Sequence, residues 1–368
     1  MNNYGGIVVG YYNFNAGPGA LPAEVLQEAQ AELRSFQGTG TSVMEISHRS
    51  KAYEAIHYEA QQLIKDLMGL SSEYEVLFLH GGASLQFSMV PLNFLTEGKT
   101  AGYVHCGTWS GKAWKEAKKL GKTTLLASGV DSGFKKMPDL SQLSIPDHTA
   151  YVHVISNETI DGIQYHSFPD TGDVPLIADM SSDIFSRPVD PSPFSFIYAG
   201  AQKNLGPAGV TIAIIHRSLL ERIPETLPDI LSYRTHVKHG SLYNTPPVFS
   251  VYMVNLVLKW LVRQGGVEGM AVRNQQKAKL LYDVLDHSEG FYEGLAHKES
   301  RSLMNITFRT CSSELENKLL GELEQEGFMG LKGHRDAGHL RASIYNAVPY
   351  AHCQALGDFL IDFQRRNG

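Results

Sequence analysis

Cysteine is scarce in this sequence. Cys106, Cys311 and Cys353 stand far apart and form no CxxC pair, so neither a disulfide framework nor a zinc cluster is indicated, and a reducing cytosol fits. Basic residues are outnumbered: 32 Lys+Arg against 38 Asp+Glu leave a formal charge of -6. That balance opposes general attraction to nucleic acid or to an anionic membrane, and makes any anion-binding site local. No apolar run reaches the length of a membrane span; the best, VYMVNLVLKWLV at 251–262, is interrupted by Asn255 and Lys259. No Lys or Arg precedes Arg34, and the apolar start GIVVGYY is short and broken by glycine, which fails the pattern of a secretory signal. There is no HExxH or comparable ligand spacing, and HVKH at 236–239 would bind a metal only adventitiously, so no metal site is expected. Repeats, low-complexity tracts and Pro- or Ser-rich linkers are also missing. These absences describe a soluble cytoplasmic protein.

What remains is ordinary globular composition, 43% hydrophobic and 19% charged, with 35 glycines that suit the many tight connections of an α/β fold. A length of 368 residues exceeds a single ordinary core. Two domains are expected: a large one over 16–265 and a smaller α+β one over 266–368 together with 1–15. AEVLQEAQAELRSF (23–36), with Pro22 at its first turn, and SKAYEAIHYEAQQLIKDLM (50–68) have apolar positions at helical spacing. YEVLFLHGGAS, TAGYVHCGTWSGKAWKEAKKL and TAYVHVISNETIDG each read as an extended piece that gives way to a polar or glycine-rich turn. Repeated strand-then-helix alternation predicts a mostly parallel sheet covered by helices, where chemistry collects at the carboxyl ends of strands. From about Gly265 the texture changes to a helix (267–287), a strand in SLMNITFRT, a helix around Leu315 to Gln325, a strand near HLRASIYN and a closing helix.

Four of the predicted strand ends carry distinctive groups: Ser84 in a glycine-lined turn, Trp109, Asp179 and Lys203. Lys203 follows the apolar run Phe194 to Tyr198, after which Ala199-Gly200-Ala201 removes side-chain bulk. Taken singly, each has a plain structural reading. A lysine beside Gly-Pro points at water, a tryptophan fills a core, and an aspartate caps a helix. Together they suit a phosphorylated aromatic aldehyde, which needs an anion cradle, a flat stacking partner, a negative charge to keep its ring nitrogen protonated, and an amine. That ligand is pyridoxal 5'-phosphate.

The segments AGAQKNLGPAG, SNETIDGIQ, ADMSSDIFSRP, GTSVMEISHRSK, YNTPP and KGHR, six motifs that occur along the chain in the family's order, together closely resemble the phosphoserine aminotransferases of the class V, fold-type I pyridoxal-phosphate enzymes, over almost the whole chain from about Asn13. The resemblance implies a large domain built on a mostly parallel, seven-stranded-type sheet. It implies that Lys203 is the Schiff-base lysine, Asp179 the ring-nitrogen partner and Trp109 the stacking residue. Thr159 would bond the cofactor on its phenolic-oxygen side, although NETIDG also makes a reasonable turn, and Ala83, Ser84 and Gln202 would hold its phosphate. Asn244 and Thr245 would reach the cofactor phosphate of the neighbouring subunit, so a homodimer is implied; before two prolines they could also merely shape a turn. Many family members carry Gly-Arg where this chain has Ala83-Ser84, so an arginine near the substrate phosphate is missing and other cations must compensate, or affinity falls.

The reaction implied exchanges an amino group between L-glutamate and 3-phosphohydroxypyruvate to give O-phospho-L-serine and 2-oxoglutarate, in serine biosynthesis. Whether a related substrate of pyridoxine biosynthesis is also used stays open. Each amino acid has an α-carboxylate and a distal anion, and a guanidinium can grip either through two parallel bonds. Arg341 is assigned to the α-carboxylate. His334 and Arg335, with His48 and Arg49 of the partner subunit, would form the distal pocket. Two rivals stand beside this reading: another class V enzyme, such as a cysteine desulfurase or an alanine:glyoxylate-type aminotransferase, and a catalytically silent scaffold. No cysteine lies in a convincing mobile loop, the cation set favours a dianionic substrate, and both Lys203 and Asp179 are present.

Overall fold

The computed structural model describes residues 11–141, 143–334 and 338–368. Among them, seven strands form one sheet in the order Tyr74–Leu79, Thr211–His216, Phe194–Gly200, Leu176–Asp179, Thr149–Ile155, Thr100–His105 and Thr123–Ser128. Thr211–His216 runs antiparallel to both of its neighbours, and the other pairings are parallel. Both faces of this sheet are covered, which is why its central strands read as nearly continuous apolar runs. Val152, Val154, Ala178, Ile197 and Ala199 point into one core. Tyr151, Ile177, Phe196 and Tyr198, the alternate positions, point into another together with Phe87, Met89 and Phe94 of the helix Gly82–Phe94. Each Val, Ile, Phe or Met among them contributes ~1.5–3 kcal/mol by leaving water.

The helix Lys51–Met68 shows how local signals set an element. Ser50 caps it by accepting from the Tyr53 amide at 3.3 Å, and Gly69 ends it in the left-handed conformation at φ 66°. Tyr53, Ile56, Ala60 and Ile64, three or four residues apart, are its buried face, and they pack on the helix Val248–Arg263. The reading of a helix over 23–36 is too long. The helix spans Ala23–Glu32, with Pro22 at the extended cap position rather than inside the first turn. Phe36 is instead drawn into the core, and its amide bonds to the Thr41 carbonyl at 2.9 Å, which closes a turn.

A separate core gathers Phe14 with residues from the helices Gly266–Asp286, Ser313–Gln325 and Tyr350–Asn367. It includes one face of an antiparallel sheet of Tyr292–Gly294, Asn305–Thr310 and Leu340–Ser343. Tyr12–Asn13 pairs in parallel with Phe328–Met329, which attaches the described start of the chain to this second core. Among the described residues, no helix is long and apolar enough to cross a membrane.

Candidate active site

The parallel strands deliver their carboxyl ends to one rim of the sheet. Register fixes this: Ile155 lies opposite Asp179, and Asp179 opposite Tyr198, so the residues that follow these strands converge. Lys203 lies in the loop that turns from Phe194–Gly200 into its antiparallel neighbour, closed by the Ala201 amide on the Val210 carbonyl at 3.1 Å. At this rim opens a cavity of about 480 Å³ lined by Ala83, Ser84, Trp109, Thr159, Asp179, Gln202, Lys203, His334 and Arg341. Nine of the residues singled out in the sequence therefore share one space.

Within it, Lys203 Nζ donates to Thr159 Oγ1 at 2.5 Å and lies 5.6 Å from the Trp109 ring centroid. Burial lowers the pKa of the Lys203 ammonium to about 8, against the upward pull of Asp179 and Glu158. Asp179 is 5% exposed and Oδ1 accepts from the Ser181 amide at 2.8 Å. Burial raises its carboxyl above the usual range, while the Ser181 bonds and Lys203 oppose the rise. Arg341 enters from the second core on the strand Leu340–Ser343. It is 8% exposed, and Nη1 donates to the Thr159 carbonyl at 3.3 Å. Its Nε, like Nε1 of Trp109, is buried with no partner among the described residues. Thr159 thus touches Lys203 through its hydroxyl and Arg341 through its carbonyl.

Ala83 and Ser84 occupy the first turn of the helix Gly82–Phe94, which has no acidic residue there. Its leading peptide N–H groups have no intrahelical partner and, with the helix dipole, favour an anion. Gly81 makes the entry possible: φ is 89°, and an added Cβ would come within 2.5 Å of Leu85.

The remaining predicted residues lie elsewhere. Asn244 and Thr245 line a different cavity of about 370 Å³, beside His80 and His236. Asn244 Nδ2 donates to the Thr245 carbonyl at 3.3 Å. Arg49 is exposed and His48 half-buried, in the turn before the helix Lys51–Met68. Arg335 lies outside the described residues. The sequence reading passed over Ala16, Gly17, Asn157, Ser181 and Ser182, which also line the cavity. Gly17 comes from the loop NFNAGPGALP, whose density of Gly and Pro signals a close backbone approach; a Cβ there would sit 3.7 Å from Lys203 Cγ. Among the described residues, no group of three or more His, Cys, Asp or Glu could hold a metal.

The family described as Aminotransferase class-V matches residues 11–356. Phosphoserine aminotransferase of Geobacillus kaustophilus (strain HTA426) is 57% identical over 355 residues, 96% of this chain and 98% of its own length. The solved structure of phosphoserine aminotransferase from Bacillus circulans subsp. alkalophilus superposes with a TM-score of 0.96 at 56% identity, covering 98% of this chain and 99% of that one. That of pyridoxal-phosphate-bound phosphoserine aminotransferase from Trichomonas vaginalis gives 0.88 at 36% identity, over 96% and 100%. With a strand-end lysine, aspartate and tryptophan around one cavity and relatives matched over nearly their full length, the chain belongs to the phosphoserine aminotransferase family of the class-V aminotransferases.

Proposed function

We propose that this protein transfers the amino group of L-glutamate to 3-phosphohydroxypyruvate, giving O-phospho-L-serine and 2-oxoglutarate, with pyridoxal 5'-phosphate as cofactor. The reading includes a cytoplasmic homodimer, and a division of the chain into 16–265 and 266–368 with 1–15. The observation that carries it is the meeting of Lys203 and Asp179, from the sheet rim, with Arg341, from the second core, in one cavity. The donor set fits the cofactor: unpaired amides at Ala83 and Ser84 for the phosphate, the Trp109 ring as a flat wall, and a buried carboxylate at Asp179.

When bound, the cofactor supplies an aldehyde that exchanges amino groups and a protonated ring that takes up electrons as the substrate Cα–H bond breaks. Lys203 Nζ would hold the cofactor, and as a free amine it would move the proton at the substrate Cα. A pKa of about 8 brings the neutral, proton-accepting amine within reach of physiological pH. Thr159 Oγ1, 2.5 Å away, orients Nζ. Asp179, 5% exposed, would keep a positive ring nitrogen charged by Coulombic attraction. Arg341 takes the α-carboxylate: its unpartnered Nε leaves donors free for a planar anion. His334 and Arg335, with His48 and Arg49 of the partner subunit, receive the distal phosphate or γ-carboxylate, and Asn244 and Thr245 reach across to the cofactor phosphate of the neighbouring site.

Borohydride reduction of the pyridoxal-phosphate-loaded protein, followed by peptide mapping, is expected to label Lys203. Glutamate should support transfer to 3-phosphohydroxypyruvate, with alanine and cysteine far poorer donors. An unlabelled Lys203, or equal transfer from alanine, contradicts the reading.

A further inference from the structure

Beneath Trp109 lies a pair of carboxylates that the mechanism above does not use. Glu158 is fully buried. Its Oε2 accepts from the Trp109 amide at 3.0 Å and its Oε1 from the Ser110 amide at 2.8 Å. Asp161 Oδ2 accepts from the Thr108 amide at 3.1 Å. Three consecutive peptide donors in the first turn of the helix Thr108–Leu120 are therefore held by a four-residue segment about fifty positions later in the chain. The approach is so close that residue 107 must be glycine. A Cβ there would lie 2.7 Å from Glu158 Cδ and would collide with Asp161 Oδ2.

The same segment carries Thr159 between the two acids, and Thr159 meets both Lys203 Nζ and Arg341 Nη1. Residues 158–161 thus join the wall of the cavity, its amine and its guanidinium through one short segment. Among the charges acting on the Lys203 ammonium, Glu158 follows only Asp179. Burial, and then the nearby charge of Asp161, push the Glu158 carboxyl above its usual range. Two acids kept this close in a buried place need a reason, and the helix amides supply one: a helix N-terminus favours negative charge, and peptide N–H groups buried without partners are costly.

Building on the proposed function, we propose that Glu158, braced by Asp161, is a positioning residue that fixes the Trp109 ring over the cofactor. A carboxylate is required because two peptide donors arrive at its two oxygens. In Glu158→Gln one of those donors faces an NH₂ group instead, and the first turn must tilt to relieve it.

The test compares wild type and Glu158→Gln by equilibrium binding of pyridoxal 5'-phosphate and by circular dichroism of the bound cofactor's absorption band, with the thermal unfolding of each apo protein as the control for folding. We expect the cofactor Kd to rise about tenfold, the size set by one buried donor left unpaired, and the induced band to shrink. A lower unfolding temperature with unchanged Kd and unchanged band would mean a purely structural acid and overturns the proposal. Should Glu158→Gln not fold, Asp161→Leu carries the test. It frees one peptide donor, and a weakened Kd with a reduced band supports the proposal, whereas a wild-type band overturns it. Failure of the underlying reading looks different, because the wild-type protein would then bind no pyridoxal phosphate at Lys203.

Discussion

Lys203 is held where its charge is disfavoured. Burial lowers its pKa to about 8 even though Asp179 and Glu158 pull upward, so desolvation outweighs the attraction of two carboxylates. The consequence for the cofactor-free protein can be worked out by linkage. Below pH 8 the lysine is protonated in both folded and unfolded chains, and the folded state bears the full penalty of the buried ammonium. Between pH 8 and the ordinary lysine value near 10.5, the folded protein has shed the proton that the unfolded chain still binds. Stability contributed by this group therefore rises with pH across that window. Lys203→Met, which resembles the neutral side chain in shape, is expected to raise the unfolding temperature of the apo protein at pH 7. The gain over wild type should decline as pH passes from 8 to above 10, as followed by differential scanning calorimetry. A gain that is constant with pH would show that the ammonium is not strained by its site, and that its reactivity must come from the cofactor alone.

Elements show the same economy, as in the turn after the strand that carries Arg341. Lys277, on the helix Gly266–Asp286, is 2% exposed and has no carboxylate partner among the described residues. Its Nζ donates instead to the carbonyls of Ile344, Tyr345 and Val348 at 2.9, 2.8 and 3.2 Å. One helix thereby fastens a turn whose Tyr345 hydroxyl reaches the Ala16 carbonyl at 2.6 Å and whose Asn346 amide bonds to Asn204, next to Lys203. Lys277→Met conserves length but takes the donor from the buried carbonyls of Ile344 and Val348, while the Tyr345 carbonyl keeps the Val348 amide at 2.9 Å. At ~1–3 kcal/mol each, relieved in part by relaxation of the turn, we expect a loss of ~2 kcal/mol. Urea unfolding measures it; an unchanged midpoint would mean that the turn is held by Tyr345 and Asn346 without the lysine. Nothing in the sequence announced this lysine, because a Lys at helical spacing reads as a solvated face and its acceptors are backbone atoms some seventy residues away. The strand ends were different. Asp179, Trp109 and Lys203 each follow a local apolar run into a turn, and local pattern was enough to nominate them. Glu158 was quoted in SNETIDG but given no role, since its partners are peptide amides of a distant helix. Periodicity also overextended the helix at 23–36, because it cannot tell a helical Phe36 from one drawn into a turn by the core.

Taken as a whole, the molecule divides the residues singled out for the site into two groups. Lys203 and Arg341 line one cavity with His334, while Arg49 is exposed and Asn244 and Thr245 line another space. In a chain with net charge -6, a dianionic substrate depends on local cations, and the first group leaves few for its distal end once Arg341 holds the α-carboxylate. A second copy of the chain can supply the rest if a symmetric interface brings each subunit's exposed set to the other's cavity, since in a two-fold arrangement each contact occurs twice. Mixed dimers test this without a further structure. Lys203→Ala removes the amine from a subunit's own cavity, and Arg49→Ala removes what that subunit lends to its neighbour; each homodimer should be nearly inactive at low substrate. Unfolding and refolding the two together in equal amounts gives hybrids in about half of the dimers by random pairing. In every hybrid one site carries both lesions and the other carries none. Aminotransfer should therefore recover to about a quarter of the wild-type rate. Recovery to that level places Arg49 across the interface, whereas a mixture no more active than its parents means that Arg49 serves its own chain and the proposed sharing of sites is wrong.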